Sequence, residues 1–114
     1  MGYIYDQHWG GACIGRIDNL GNVYTGSFGG TYKGSVDSNG YAYMPGFFGK
    51  GSIVGRVDSD GRVYSGSFGG SFIGRVDSSG NIYDNSGIFG GSIIGKAESP
   101  NQREGGAAYL LLLR

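Results

Sequence analysis

A short pattern of apolar, small and polar positions recurs four times along the chain. Its clearest copy is residues 73–83. This copy reads, in order, an apolar residue, Gly, Arg, a β-branched residue, Asp, two small residues, Gly, two further residues and Tyr. The other copies span 14–24, 33–43 and 54–64. Apolar residues that alternate with polar ones on both sides of a turn are typical of antiparallel strands. The pattern therefore predicts four β-hairpins.

Each predicted turn has Asp at its first position and Gly at its fourth, as in residues 18–21. This combination is typical of a type I turn followed by a bulge. The Asp carboxylate can accept the N–H two residues further on, while Gly adopts the left-handed backbone conformation. The resulting register places Ile17 opposite Val23 on one face and Arg16 opposite Tyr24 on the other. A two-residue loop is the alternative, and it would change these pairs.

The segments between hairpins each carry an aromatic residue followed by Gly, which predicts a second set of corners. Residues 2–5 match 80–83, so the chain begins on a strand that lacks its own partner and can pair with the last unit. We predict an all-β fold, a closed or nearly closed ring of repeated β-hairpins with pseudo-four-fold symmetry; five blades are the alternative. The single domain, 1–114, divides into units at about 12–31, 32–51, 52–70 and 71–91, with an atypical closing unit at 92–114.

Two further features of the sequence do not follow from the hairpin pattern alone. A glycine stands in the middle of five predicted strands, which indicates crowding, and we expect the strands to converge near an axis. The apolar run 107–113 is compatible with a strand buried on both faces or with a terminal helix, and either would pack against the sheet. The five glycines are Gly15, Gly34, Gly55, Gly74 and Gly95.

Charge and composition narrow the function. Lys plus Arg and Asp plus Glu number nine each, so the net charge is zero. This argues against a nucleic-acid partner and leaves self-association open. The longest apolar run is too short to span a membrane. Without a visible signal peptide, we expect a cytoplasmic protein.

The four units, written G-(R/S)-(V/I)-D-x-x-G-x-(V/I/A)-Y, resemble the repeat of the 4-fold beta flower proteins, small bacterial proteins of unknown function. The resemblance covers residues 2–99 and implies a closed four-fold β arrangement without implying an activity. Residues 24–28 and 64–68 also resemble the YxGxF core of MORN repeats. The MORN period is longer, and the Gly-x-Gly that follows it is absent here, so this resemblance is the weaker one.

The positions that the turns and core do not require are the basic and tyrosine positions of the repeat. The basic series is interrupted by Ser35 and ends at Lys96. Arg side chains can hold an anion, or they can lie over the neighbouring Tyr ring. Exposed Tyr rings can stack on a sugar or contact a protein, whereas buried ones only pack. The candidate ligand-binding residues are Arg16, Tyr24, Arg56, Tyr64, Arg75 and Tyr83.

No catalytic, metal-binding or cofactor-binding group is predicted. Residues 58–61 resemble the start of a calcium loop, but no distal Glu follows at the required distance, so turn capping is the expected role. An enzyme would have to rest on His8 and Cys13, and Cys13 aligns with positions that look like core, which predicts a buried and inert thiol. We therefore predict a non-enzymatic structural or protein-interaction module that binds itself or another protein. A lectin-like multivalent carbohydrate binder is the alternative.

Overall fold

The computed structural model describes residues 2–6, 11–46, 49–66, 70–85, 91–98 and 102–113, with the backbone alone at 49–50. His8 and Trp9, together with Phe48, Phe68 and Phe89, lie outside the described residues. The described residues form ten strands, one α-helix and a π-helical turn. The strands are β1 (Gly2–Asp6), β2 (Cys13–Ile17), β3 (Asn22–Thr25), β4 (Tyr32–Val36), β5 (Tyr41–Gly46), β6 (Gly49–Val57), β7 (Arg62–Ser65), β8 (Phe72–Val76), β9 (Asn81–Asp84) and β10 (Ile93–Ala97). Helix α1 (Gln102–Ala108) leads directly into the π-helical turn (Tyr109–Leu113).

The ten strands close into an antiparallel barrel in which each strand pairs with its neighbours in sequence. The barrel closes between the first strand and the last, where Ile4 lies opposite Ala97 and Asp6 opposite Gly95. The predicted all-β fold, a closed ring of hairpins, is confirmed. The expected pairing of the first strand with the last unit is also confirmed.

The hairpin turns have the predicted chemistry. Asp18 Oδ1 accepts the N–H groups of Leu20 and Asn22, both at 2.9 Å, and Gly21 has a φ of 87°. The three other hairpins repeat these carboxylate bonds. Because the turn fixes the register, Arg16 pairs with Tyr24 and Ile17 with Val23, as predicted. We call this end of the barrel the turn end and the opposite end the corner end.

Two inward-facing positions of each strand pair form the barrel's own core. All ten side chains are at most 4% exposed. Burying an aliphatic side chain of this kind stabilises a fold by about 1.5–3 kcal/mol. The residues are Ile4, Ile17, Val23, Val36, Ala42, Val57, Val63, Val76, Ile82 and Ala97.

The C-terminal segment is helical and packs within the barrel, so of the two alternatives for the apolar run the strand is wrong and the helix is right. Small residues let helix α1 approach the strands: a Cβ at Gly105 would lie 2.8 Å from Ala97 Cβ, and one at Gly106 would lie 2.5 Å from Val76 Cβ. The helix enters from the turn end, where Arg103 Nη2 donates to Ser38 O at 3.1 Å. A continuous apolar run fits this position because strands of the barrel pack around it.

The strand glycines are required both by the carbonyl oxygen of the neighbouring strand and by this helical segment, so the crowding that the sequence indicated is confirmed. A Cβ at Gly15 would lie 2.6 Å from Leu113 Cδ1, in addition to 2.7 Å from the Tyr24 carbonyl oxygen. Each of the other four strand glycines faces one residue of the π-helical turn, and the later the glycine lies in the chain, the earlier its partner lies in the turn. The pairs are Gly34 with Leu112, Gly55 with Leu111, Gly74 with Leu110 and Gly95 with Tyr109.

The π-helical winding of this turn suits the arrangement. An α-helix rotates about 100° per residue, whereas five equally spaced directions around a barrel lie about 72° apart. The i→i+5 bonds of a π-helix place more residues in each turn and so reduce the rotation per residue. Consecutive side chains of residues 109–113 can therefore point at successive strand glycines.

Candidate functional site

The six candidate residues form three stacked Arg–Tyr pairs on the outer face of the barrel. The guanidinium carbon lies 4.8 Å from the ring centroid in Arg16–Tyr24, 4.4 Å in Arg56–Tyr64 and 3.7 Å in Arg75–Tyr83. Each pair is also directly opposed in the strand register. All six side chains are half-buried. Of the arrangements left open for the Arg side chains, the stack on the neighbouring Tyr is the one observed, and one face of each ring is covered by a cation.

Two of the three pairs continue into a second aromatic ring on the next strand. Tyr24 contacts Tyr32 with ring centroids 5.6 Å apart, and Tyr64 contacts Phe72 at 5.8 Å in an edge-to-face arrangement. Such contacts are favourable for aromatic pairs at this separation. Cation, ring and second ring thus follow one another across three adjacent strands in two places on the barrel.

Arg16 does more than stack on Tyr24. Its Nη1 donates to the carbonyl oxygens of Thr25 and Gly26, both at 3.2 Å, and its Nη2 donates to Gly29 O at 2.8 Å. The first carbonyl ends β3, and the other two belong to the corner loop that joins β3 to β4. The guanidinium therefore holds this loop in one conformation, because one planar group satisfies several acceptors at once.

The loop that Arg16 holds presents Phe28, which is 93% exposed. An aromatic side chain buries a large apolar area when a partner covers it, which makes Phe28 a candidate contact for a partner. The sequence identified Phe28 only as a corner residue and missed it as a functional candidate. The available signal was the recurrence of an aromatic at each corner, together with an Arg facing one of those corners across the strand pair.

The tyrosine hydroxyls that approach acidic side chains have shifted pKa values. The Tyr83 hydroxyl donates to Asp77 Oδ2 at 3.1 Å; burial, then this bond and the carboxylate charge, raises the pKa of Tyr83. The same bond joins Tyr43 to Asp37 at 3.2 Å, and burial followed by this bond raises the pKa of Tyr43. These pairs tie the outer face to the turns.

The position equivalent to the Arg series in β4 is Ser35, which interrupts the series as the sequence predicted. Ser35 is 6% exposed, and its Oγ has no hydrogen-bond partner within the described part of the chain. It lies opposite Asn22 on β3 and opposite Tyr43 on β5. A buried hydroxyl without a partner carries a desolvation penalty, so this strand departs from its neighbours in energy as well as in sequence.

The Asp carboxylates of the hairpin turns accept hydrogen bonds from backbone N–H groups. Asp58 Oδ1 accepts the N–H groups of Asp60 and Arg62 at 2.9 Å, and Asp60 forms an exposed ion pair with Arg62 at 3.3 Å. The predicted role in turn capping is confirmed. Across residues 2–6, 11–46, 49–66, 70–85, 91–98 and 102–113, three or more His, Cys, Asp or Glu side chains nowhere cluster as metal ligands.

Cys13 is not the buried thiol that its alignment predicted. It is half-buried and lies opposite Tyr5, while the next pair joins Gly15 to Ile4, so the strand has a bulge at Ile14. The bulge shifts the alternation by one residue and moves Cys13 to the face that Tyr5 occupies. Its Sγ donates to the Gly15 carbonyl oxygen at 3.3 Å.

The fold and the site define a closed ten-stranded antiparallel barrel that contains its own C-terminal helix and carries Arg–Tyr stacks on its outer face. Comparison of the chain with family models, with curated proteins and with solved structures gave no match. None of the helices in the described part of the chain is long and apolar enough to cross a membrane.

Proposed function

We propose that this protein is a non-enzymatic interaction module that binds another protein, or a second copy of itself, through the corner end of the barrel. The observation that carries the proposal is Phe28, which is 93% exposed on a loop held by Arg16. A fixed aromatic side chain loses little conformational entropy when a partner covers it. Zero net charge adds no self-repulsion between copies.

The internal order that we propose for the barrel is five-part, the alternative to the four-fold arrangement that the beta flower resemblance implies. Five strand glycines facing five consecutive residues of the C-terminal turn support this order. The sequence puts an aromatic residue in each of the five corner segments, and Phe28 is the one whose side chain the structure describes. A repeated aromatic of this kind suits repeated weak contacts to a partner. These aromatics are Trp9, Phe28, Phe48, Phe68 and Phe89.

Two substitutions at opposite ends of β3 test the proposal. Phe28→Ser removes the exposed aromatic, and Leu20→Ser is the matched control because Leu20 is 86% exposed at the turn end. Light scattering measures concentration-dependent self-association, and capture from the source cells measures binding to other proteins. We expect the interaction to be lost with Phe28→Ser and kept with Leu20→Ser. A Phe28→Ser variant that keeps every interaction of the unmodified protein would refute the proposed surface.

The lectin-like alternative ranks second. It would use the half-buried rings of Tyr24, Tyr64 and Tyr83, but a guanidinium already covers one of the two faces of each ring on which a sugar could stack. A glycan array tests it directly. Binding that is lost with Tyr64→Ala and kept with Phe28→Ser would favour the lectin-like function over the one proposed.

A further inference from the structure

The barrel wall departs from its own pattern between β4 and β5. In the hairpins β2–β3, β6–β7 and β8–β9 the strand glycine is paired with the returning strand, as Gly15 is with Thr25. Between β4 and β5 the pairing stops at Ser35 opposite Tyr43. Beyond this point β5 continues alongside β6, with Pro45 opposite Lys50. The wall therefore separates between these two strands at the corner end.

The backbone of β4 also differs at this place. Gly34 has a φ of 132°, a conformation that residues with a Cβ rarely adopt. The position before each strand glycine is apolar in the other strands, where Ile14, Val54, Ile73 and Ile94 pack against the core. In β4 it is Lys33, which is half-buried. A charged side chain thus replaces an apolar one where the wall separates.

A cavity of about 290 Å³ opens at this separation. Its apolar lining includes Leu111 and Leu112 of the π-helical turn, Val54, and Met44, which is 51% exposed. Among the described residues that line it, Lys33 is the charged one. The cavity therefore combines an apolar floor with one cationic group, the arrangement expected for an amphipathic ligand that carries a negative charge.

We propose that this cavity binds a medium-chain aliphatic carboxylate, with the alkyl chain against Leu111, Leu112 and Met44 and the carboxylate on the Lys33 ammonium group. At about 30 Å³ for each water-sized group, the volume has room for about ten heavy atoms, the size of octanoate. The ligand would cover apolar surface that the separated strands leave open and would partner the cation at the same time. Phe28 is not among the residues that line this cavity.

Calorimetric titration of the full-length protein with octanoate and octanol, below micelle-forming concentrations, tests the proposal. Octanoate should bind about tenfold more tightly than octanol because only it pairs with the ammonium group. Shortening the chain to hexanoate and butanoate should weaken binding by about fourfold for each methylene removed.

Two variants assign the effect to this cavity. Lys33→Ile introduces the residue that β2 carries at the equivalent position, and it should abolish the preference for octanoate over octanol. Lys96→Ile, on the outer face of β10, changes the net charge equally and should leave that preference intact. Equal binding of octanoate and octanol, the absence of saturable binding, or an unchanged preference in Lys33→Ile would each overturn the assignment. Phe28→Ser should leave octanoate binding unchanged, so this site and the proposed interaction surface can fail separately.

Discussion

Moving one methyl group from strand β10 to helix α1 tests whether the helix lies in the barrel as described. A Cβ at Gly105 would lie 2.8 Å from Ala97 Cβ, whereas the next atom, Ile4 Cγ1, is 3.7 Å away, an ordinary contact. Gly105→Ala alone should therefore force two methyl groups into the space of one. The double variant Gly105→Ala/Ala97→Gly restores a single methyl group at that contact.

The expected magnitudes follow from the packing. Overpacking costs about 1–3 kcal/mol, and replacing Gly by Ala within a helix returns about 1 kcal/mol, so Gly105→Ala should destabilise the protein by up to about 2 kcal/mol. Ala97→Gly loses a buried methyl group, about 0.8 kcal/mol, and weakens the strand by about 0.5–1 kcal/mol. The double variant should have a free energy of unfolding close to that of the unmodified protein. The coupling between the two sites is then about 2–3 kcal/mol in favour of the double variant.

Equilibrium unfolding in urea, followed by circular dichroism, measures this coupling, since each kcal/mol moves the midpoint by about 0.3–1 M. Gly106→Ala combined with Ala97→Gly is the control: the added Cβ would lie 2.5 Å from Val76 Cβ, so removing the Ala97 methyl group should not relieve it. If the Gly105→Ala/Ala97→Gly variant is as unstable as the sum of its single changes, the helix does not contact β10 at this point.

Three further predictions address the turns, the outer face and the helix. Burial opposes the charge on Asp77, but its pKa is lowered by hydrogen bonds from the Asn81 N–H and side chain, the Tyr83 hydroxyl and the Ser79 N–H. The ionised carboxylate therefore stabilises the fold above about pH 4, and this stabilisation is lost as the pH falls through the folded-state pKa. Asp77→Asn should therefore lower the urea midpoint at neutral pH, with a difference that shrinks below about pH 4; a constant difference would contradict this. Arg75→Met should raise the pKa of Tyr83 further in an ultraviolet titration of the phenol, because Arg75 lowers it, and an unchanged value would count against the stack. Deleting residues 99–114 should abolish cooperative thermal unfolding, measured by calorimetry, because the helix fills the barrel. A cooperative transition in the shortened protein would show that the core forms without the helix.

The local features of the fold could be predicted from the sequence because neighbouring residues determine them. An Asp-x-x-Gly turn determines its own hydrogen bonds, and this turn fixes the register that pairs Arg16 with Tyr24. Closure of the ring followed from an unpartnered first strand. These predictions needed no knowledge of what lies inside the barrel.

The features that could not be predicted depend on the interior or on irregular pairing. An apolar run that packs among strands has no polar face to reveal its period, so the sequence left residues 107–113 open between helix and strand. The strand glycines signalled crowding, but the sequence did not show that residues 109–113 contribute to it alongside the neighbouring strands. Cys13 was misplaced because it was assigned from its alignment with positions that look like core, and such an alignment does not reveal the bulge at Ile14.

Repetition within one chain separates what the fold requires from what it permits. The turn Asp, the turn Gly and the strand Gly fulfil the same contacts in each hairpin, so they report on architecture and carry no information about a partner. A position that changes between otherwise equivalent strands is not fixed by the barrel. Lys33 and Ser35 are such positions, and both lie on β4, beside the place where the wall separates and where the cavity opens. The strand that departs furthest from the repeat is therefore the part of the barrel wall where a specific ligand is best sought, while Phe28 remains the proposed contact for a larger partner.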